Sequence, residues 1–398
     1  MTRLAELISI KHGFAFAGEH FSDSPTEFVL LTPGNFRIGG GFKADKFKYY
    51  GGPVPDGYVL SPGDLVVTMT DLSKNMDTLG YPALVPSLEG RTALHNQRIG
   101  LVTVTSPDVD AGWLYWVMCG EAYRHEILAS STGTTVHHTS PSRILAFDVN
   151  VPPLSEQRGI AATLGSLRAK LESNERTSRT CLELAHALFL RSAKAATPMP
   201  LGSVATLALG GTPDRKRLDY WIDGTVPWIN SGAANQDVIL SPTELITEKG
   251  LAESAAKLMP SGATVVAITG ATLGQVALLG IQTAGNQSLV GVWSDDPDMS
   301  AWLHFAVRES IPRLLGTATG AAQQHVNKGN LEELFVLVPQ LDDLREWAST
   351  ARPLIERALS MQRESRNIER LREALLPELL SGRMKVSDTA PDPVGAAA

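Results

Sequence analysis

The chain has 398 residues, a formal net charge of −7 and a hydrophobic share of 43%, more sequence than one core usually organises, so several domains are expected. No run of about 18 apolar residues occurs, and the opening MTRLAELISI lacks the basic-then-apolar plan of a secretory signal. The sequence therefore excludes a membrane-spanning helix and predicts a cytoplasmic protein.

Residues 1–152 read as a mixed lobe. Short β-branched runs at 28–31, 65–67 and 147–151 are punctuated by Gly, Pro and Asn, and 113–129 has the mixed apolar character of a short helix. Residues 153–197 change character. From Ile160, steps of four and three give Leu164, Leu167, Leu171, Asn174, Ser178, Cys181, Ala185 and Leu188, a heptad stripe. Before it, LSEQRG places Ser155 at an N-cap with Glu156 in the first turn. Residues 198–339 form a second mixed lobe, with a strand at 264–268 and a helix at 302–315. Residues 340–385 are a second long helix, capped at Asp342, with the stripe Trp347, Ala351, Leu354, Ala358, Met361, Ser365, Ile368, Arg372 and Leu375. Pro353 is expected to kink it or to mark a late start to its regular part. Each long helix should run roughly 35–40 residues, about 55 Å. Two narrow stripes in register predict that these helices pair with each other. Residues 386–398, rich in Asp, Pro, Gly and Ala, are predicted to be a disordered tail.

The second half copies the first. Adding 187 takes Gly133 to Gly320, His138 to His325, Val149 to Val336, Pro152 to Pro339 and Arg158 to Arg345. Gly63, Val66, Val67 and Thr70 recur as Gly262, Val265, Val266 and Thr269, and Asn96-Gln97 recurs as Asn286-Gln287. The offset drifts because loops differ in length. The predicted fold is therefore α+β: two mixed α/β lobes separated by two long antiparallel helices, an internal repeat with approximate twofold symmetry.

Charge and motifs restrict the chemistry. Both lobes are acidic, with 11 Lys+Arg against 15 Asp+Glu over 1–152 and 8 against 13 over 198–339. A protein that binds nucleic acid unaided usually shows a basic domain, so here either the cations are confined to one face or a partner supplies much of the phosphate neutralisation. Cys119 and Cys181 fall on elements of different type, which leaves neither a disulfide framework nor a zinc cluster, and packed thiols are expected. There is no G-x-x-x-x-G-K-[ST] loop, and the segment 270–274 lacks the lysine that would reach a phosphate. The run at 150–154 resembles an Asn-Pro-Pro-aromatic methyltransferase loop, but Val151 interrupts it and no aromatic follows. His137-His138 has no acidic or Cys partner nearby and its copy is Gln324-His325, which points to a polar loop and not a metal site. No catalytic, cofactor or metal residues are assigned. A duplicated chain with two loop-rich lobes on a helical spacer reads best as a recognition adaptor. Two other classes stay open: a scaffold joining proteins without reading DNA, and an enzyme with an unfamiliar site.

The plan, together with VPPLSEQRGIAATLGSLRAKLE, GGTPDRKRLDYWIDGTVPWINSG, the Asn286-Gln287 pair and the ending LREALLPELLSGRMKV, resembles the DNA-specificity subunit of type I restriction-modification systems. The resemblance covers nearly the whole chain. It implies two target-recognition domains, 1–152 and 198–339, each reading half of a split double-stranded DNA sequence, and helices 153–197 and 340–385 that set the half-site distance and dock modification methyltransferase subunits, two in number. S-adenosylmethionine and the catalytic residues would belong to the methyltransferase, and ATP-driven cleavage to a third, restriction subunit. The first lobe departs from the pattern, with HGFAFAGEHF where the second has Gly211-Thr212-Pro213.

Comparing the copies sorts scaffold from reader. Positions identical in two lobes that read different sequences serve the scaffold. Polar loop positions that differ are the candidates for DNA contact: Asn35, Arg37, Lys74, Asn75, Thr134, Thr135, His137 and Arg143 in the first lobe, and Arg215, Lys216, Arg217, Asn230, Gln275, Gln323, Gln324 and Lys328 in the second. Arg suits guanine edges, Asn and Gln suit adenine, and Lys more often holds phosphate. Helix pairing is assigned to Ile160, Leu164, Leu167 and Leu171 against Trp347, Leu354, Met361, Ile368 and Leu375.

Overall fold

The computed structural model describes residues 1–44, 46–316, 318 and 325–386. It divides into two compact units, Met1–Lys170 with the chain from Ile368 onward, and Leu171–Asn367. Each is a mixed lobe carrying part of both long helices.

In the first unit, a four-stranded sheet runs in the order Ile8–His12, Ile99–Val104, Leu65–Thr68, Pro82–Leu84, and a five-stranded sheet holds Phe21–Ser22, Lys48–Tyr50, Phe28–Leu30, Thr92–Leu94 and Val59–Leu60. The strand Leu65–Thr68 is buried along its whole length because it faces two cores. Val67 enters the larger one, with Trp113, Leu114 and Ile144, while Val66 enters a smaller one with Leu31, Phe36 and Ile99. A strand covered on both sides is continuously apolar rather than alternating, as 65–67 reads in the sequence. The predicted helix at 113–129 is two, Ala111–Cys119 and Glu121–Ala129, separated at Gly120.

The second unit repeats these parts. Its five-stranded sheet runs Thr206–Leu209, Leu289–Trp293, Thr264–Ala267, Val276–Leu279, Val238–Ile239, and its four-stranded sheet Glu244–Ile246, Val226–Ile229, Thr283–Gly285, Leu258–Met259. Val266 packs with Trp302, Phe305 and Phe189, and Val265 on the other face with Ile229 and Met259. The helix corresponding to the first pair is one piece, Pro297–Leu315. Short edge ladders repeat too: Thr2 lies opposite Val149, and Met199 opposite Val336.

The long helices are Leu154–Ser192 and Leu341–Leu380, of 39 and 40 residues. Each begins one residue before the expected cap, so Ser155 and Asp342 lie inside the first turn and the flanking residues are Pro153 and Gln340, whose carbonyls accept Gln157 N–H and Leu344 N–H. The second helix runs through Pro353 without a late start. Within the first unit, buried Ile160 and Leu164 and half-buried Leu167 meet Leu375, Leu376 and Leu379. Within the second, Ala185 and Phe189 meet Leu344, Trp347, Ala351 and Leu354. Between these clusters the seam turns polar: buried Asn174 Nδ2 donates to Glu364 Oε2 at 2.9 Å and Gln362 Nε2 to Ser178 Oγ at 2.9 Å. Ser178 with Gln362 and Asn174 with Glu364 run in opposite senses, so the pairing is antiparallel. Met361 is buried, and Leu171 and Ile368 are half-buried. Arg363 and Arg366 donate to the carbonyls of Gly280 and Leu240, fastening the second lobe to its helix. Cys119 is buried, Cys181 half-buried, and both are free thiols. Among the described residues no helix is long and apolar enough to cross a membrane. The tail from Ser387 lies outside the described residues.

Candidate nucleic-acid interface

The same backbone frame is built in both lobes. Gly13 N–H donates to Ile99 O at 3.1 Å and Phe14 N–H to His95 O at 2.8 Å; Gly210 and Gly211 repeat this to Leu289 O and Gly285 O, at 2.9 and 2.7 Å. A Cβ on Gly13 would stand 2.0 Å from Asn96 O, and one on Gly210 2.2 Å from Asn286 O, so only glycine permits this approach. The first lobe thus keeps the leading glycine that its divergent HGFAF sequence obscures. The asparagines close equivalent turns: Asn96 Oδ1 accepts Arg98 N–H at 3.2 Å and Asn286 Oδ1 accepts Ser288 N–H at 3.1 Å. From there a ladder of single bonds continues. Met69 N–H donates to Arg98 O and Thr139 N–H to Met69 O; Ile268 N–H donates to Ser288 O and Val326 N–H to Ile268 O. The repeated histidines end it, His138 paired with Thr70 and His325 with Thr269. Gly13 and Gly210, Asn96 and Asn286, and His138 and His325 thus build the same backbone frame in each lobe.

The differing residues decorate this frame. In the first lobe, His137-His138 pairs with Thr70-Asp71, which sets the tip carrying exposed Thr134 and Thr135 beside the loop carrying exposed Lys74 and Asn75. Asp71 holds that loop. It is buried, and its carboxylate accepts Ser73 N–H at 2.6 Å, Thr78 N–H at 2.5 Å and the Thr78 hydroxyl at 2.7 Å. Burial alone would push this carboxyl up, but the Thr78 and Ser73 donors hold it below the ordinary carboxylate range. Arg143 Nη1 reaches Thr132 Oγ1 at 3.2 Å, joining the same group. Arg37 belongs to a different loop, where its Nε donates to Phe42 O. The loop 69–80 is also longer than its counterpart 268–274, both closed by a glycine with positive φ, Gly80 and Gly274.

Asn35 is corrected to a structural residue. It is 0% exposed; its Oδ1 accepts the Thr32 N–H and hydroxyl, and its Nδ2 donates to the carbonyls of Lys43 and Lys46, so every polar atom is used inside the lobe.

In the second lobe, Asn230 caps the turn Ser231–Asn235 through Gly232 N–H, and Asn286 N–H on Ile229 O brings it next to the Asn-Gln turn. Exposed Gln275 follows the neighbouring turn Gly270–Thr272, and Lys328 beyond His325 pairs with Glu332 at 2.8 Å. Gln323 and Gln324 lie outside the described residues. The basic cluster is largely neutralised. Arg215 makes a bidentate pair with Glu244 at 2.6 and 2.8 Å and lies 3.6 Å from the Trp221 ring centroid. Arg217 pairs with Asp219, whose carboxyl is held well below its usual range by Arg217 and then Lys249. Exposed pairs of this kind are screened by water and contribute little, so an anion can displace them. Lys216 has no ion-pair partner among the described residues.

Two residues escaped the sequence reading. Arg98 was hidden beside a repeated Asn-Gln pair, although Arg98 against Ser288 is itself a difference between copies. Thr212, whose hydroxyl donates to Gln287 Oε1 at 2.6 Å, carries no sequence signal beyond its turn.

This arrangement, one frame twice with different side chains on it, has relatives. Residues 195–370 match the family described as Type I restriction modification DNA specificity domain. That match spans the second lobe and most of the long helix that follows it. The specificity subunit of the type I restriction enzyme EcoBI of Escherichia coli is 29% identical over 167 residues, 42% of this chain and 32% of the relative. That of EcoR124I/EcoR124II, also from Escherichia coli, is 22% identical over 148 residues, 36% and 37% of the two chains. The MjaIX specificity subunit of Methanocaldococcus jannaschii is 19% identical over 301 residues, 69% of each. The chain thus spans about a third of the length of the two Escherichia coli relatives. The fold of the whole chain is similar to a solved one: the crystal structure of a type I restriction-modification S subunit from M. genitalium aligns over 95% of both chains with a TM-score of 0.59 at 15% identity.

Proposed function

We propose that this protein is the DNA-reading, non-catalytic subunit of a type I modification complex. Each lobe reads one half of a bipartite double-stranded target. The antiparallel helices set the half-site separation and dock modification methyltransferase subunits, two of them as the internal repeat suggests, with an ATP-dependent restriction subunit as a further partner. The observation that carries this reading is the duplicated frame: turns repeated at Asn96 and Asn286 and at His138 and His325, bearing side chains that differ at the exposed positions. Two lobes built alike but decorated differently suit two different half-sites. Their acidic balance fits a complex in which the partner shares in neutralising phosphates. Catalysis and S-adenosylmethionine belong, in this reading, to the methyltransferase, and the complex works in the cytoplasm. The test is genome-wide mapping of methylation in a host expressing the cognate methyltransferase with and without this chain. A nonpalindromic, split motif that requires the chain is expected. Methylation of the same motif without it, or methyl transfer by the chain alone, would refute the assignment.

A further inference from the structure

Of the ten arginines in the described parts of the two lobes, nine are engaged through their side chains: Arg215 and Arg217 with carboxylates, Arg143 with a hydroxyl, Arg124 with a carbonyl, and the rest with comparable partners. Arg98 is exposed and its guanidinium has no hydrogen bond, ion pair or ring contact among the described residues. Its backbone, in contrast, is bonded on both sides. Its N–H is held by Asn96 Oδ1, its carbonyl takes Met69 N–H at 2.9 Å, and Met69 in turn accepts Thr139 N–H, next to the His137-His138 ladder. The second lobe reproduces each of these bonds around Ser288, so the two lobes present the same backbone position with Arg in one and Ser in the other.

From this we infer that Arg98 is a base-reading residue of the first lobe and that its target is a guanine, contacted through O6 and N7 in the major groove. The inference rests on the DNA-recognition reading above. A rigid backbone with a free, planar, five-donor side chain is what bidentate readout of guanine requires, because the fork must be aimed and must have nothing else to hold. An arginine placed only to attract phosphate would not need a position held through both its N–H and its carbonyl and would not be expected to change to serine where the frame is otherwise copied.

The experiment compares wild-type protein, Arg98→Ser and, as a control cation of the same lobe, Arg91→Ala, each co-expressed with the cognate methyltransferase, with methylated sites mapped genome-wide. Arg98→Ser should relax one G·C position in one half of the motif, with a roughly 10- to 100-fold fall in preference there, and leave the other half unchanged. Arg91→Ala should leave the motif intact. Thermal unfolding of Arg98→Ser should match wild type, since no contact is removed. A uniform loss of methylation over all sites, an unchanged motif, or relaxation in both halves would overturn the guanine assignment while leaving bipartite recognition standing. A wild-type complex with no split motif would instead overturn the recognition reading, and Arg98's role with it.

Discussion

Gln157 fastens the start of the first long helix to its lobe, and the consequence of removing it can be worked from its contacts. The side chain is 0% exposed. Its Oε1 accepts Asp110 N–H, and its Nε2 donates to the carbonyls of Asp108 and Pro152, each at 2.8 Å. Gln157→Ala leaves these three backbone groups without partners. Asp108 is exposed and its carbonyl can turn to water, while Asp110 and Pro152 are half-buried and cannot do so freely. An unsatisfied buried group costs about 1–3 kcal/mol, so two of them would give roughly 2–6 kcal/mol, and half-burial puts the loss in the lower part of that range. Asp110 also caps the helix Ala111–Cys119 through Trp113 N–H, so the loss should spread into that core. The repeat supplies a sharper variant. The counterpart of Gln157 is Leu344, buried in the second unit's core, and Gln157→Leu fills the space without restoring any hydrogen bond. Urea unfolding followed by tryptophan fluorescence should show both variants destabilised, the alanine more than the leucine. If Gln157→Leu were as stable as wild type, the three hydrogen bonds would contribute little and packing alone would fix the helix start.

Replacing both Leu164 and Leu167 by Asp puts charge into the seam against Leu375 and Leu379, and co-purification with the methyltransferase should be lost; retained assembly and modification would contradict the docking role of the helices. Inserting four residues near Thr180 should change the spacing between half-sites by about 6 Å if helical rise sets it, with the bases of each half unchanged in methylome sequencing; altered bases at constant spacing would contradict the ruler. His304 is buried and held at about 3, by burial first and then by Arg308 and His186, so the unfolded state binds more protons between roughly pH 6.5 and 3 and stability should fall as pH drops through that window. The urea midpoint at pH 7 and pH 5 should differ less in His304→Gln than in wild type, and an equal difference would place the acid sensitivity elsewhere.

The sequence alone determined the parts whose signals are local or copied. Both long helices were legible because heptad spacing is a property of the chain, and the stripe residues Ile160, Leu164, Trp347 and Met361 are buried as their spacing required. The duplicated strands at Leu65–Thr68 and Thr264–Ala267 were legible because the same buried positions select the same residues twice. What the tertiary structure decided is which polar side chains are already in use. Asn35 reads as a free amide in a turn, yet Thr32, Lys43 and Lys46 fold around it. Arg215 and Arg217 read as a basic patch, yet Glu244 and Glu253, 29 and 36 residues away in sequence, come back to meet them. Arg98 reads as a neighbour of scaffold, and the absence of a side-chain partner among the described residues distinguishes it. Secondary structure follows from spacing along the chain, whereas the freedom of a hydrogen-bonding group depends on what distant segments bring within about 3 Å of it, and one sequence read in order carries little of that information.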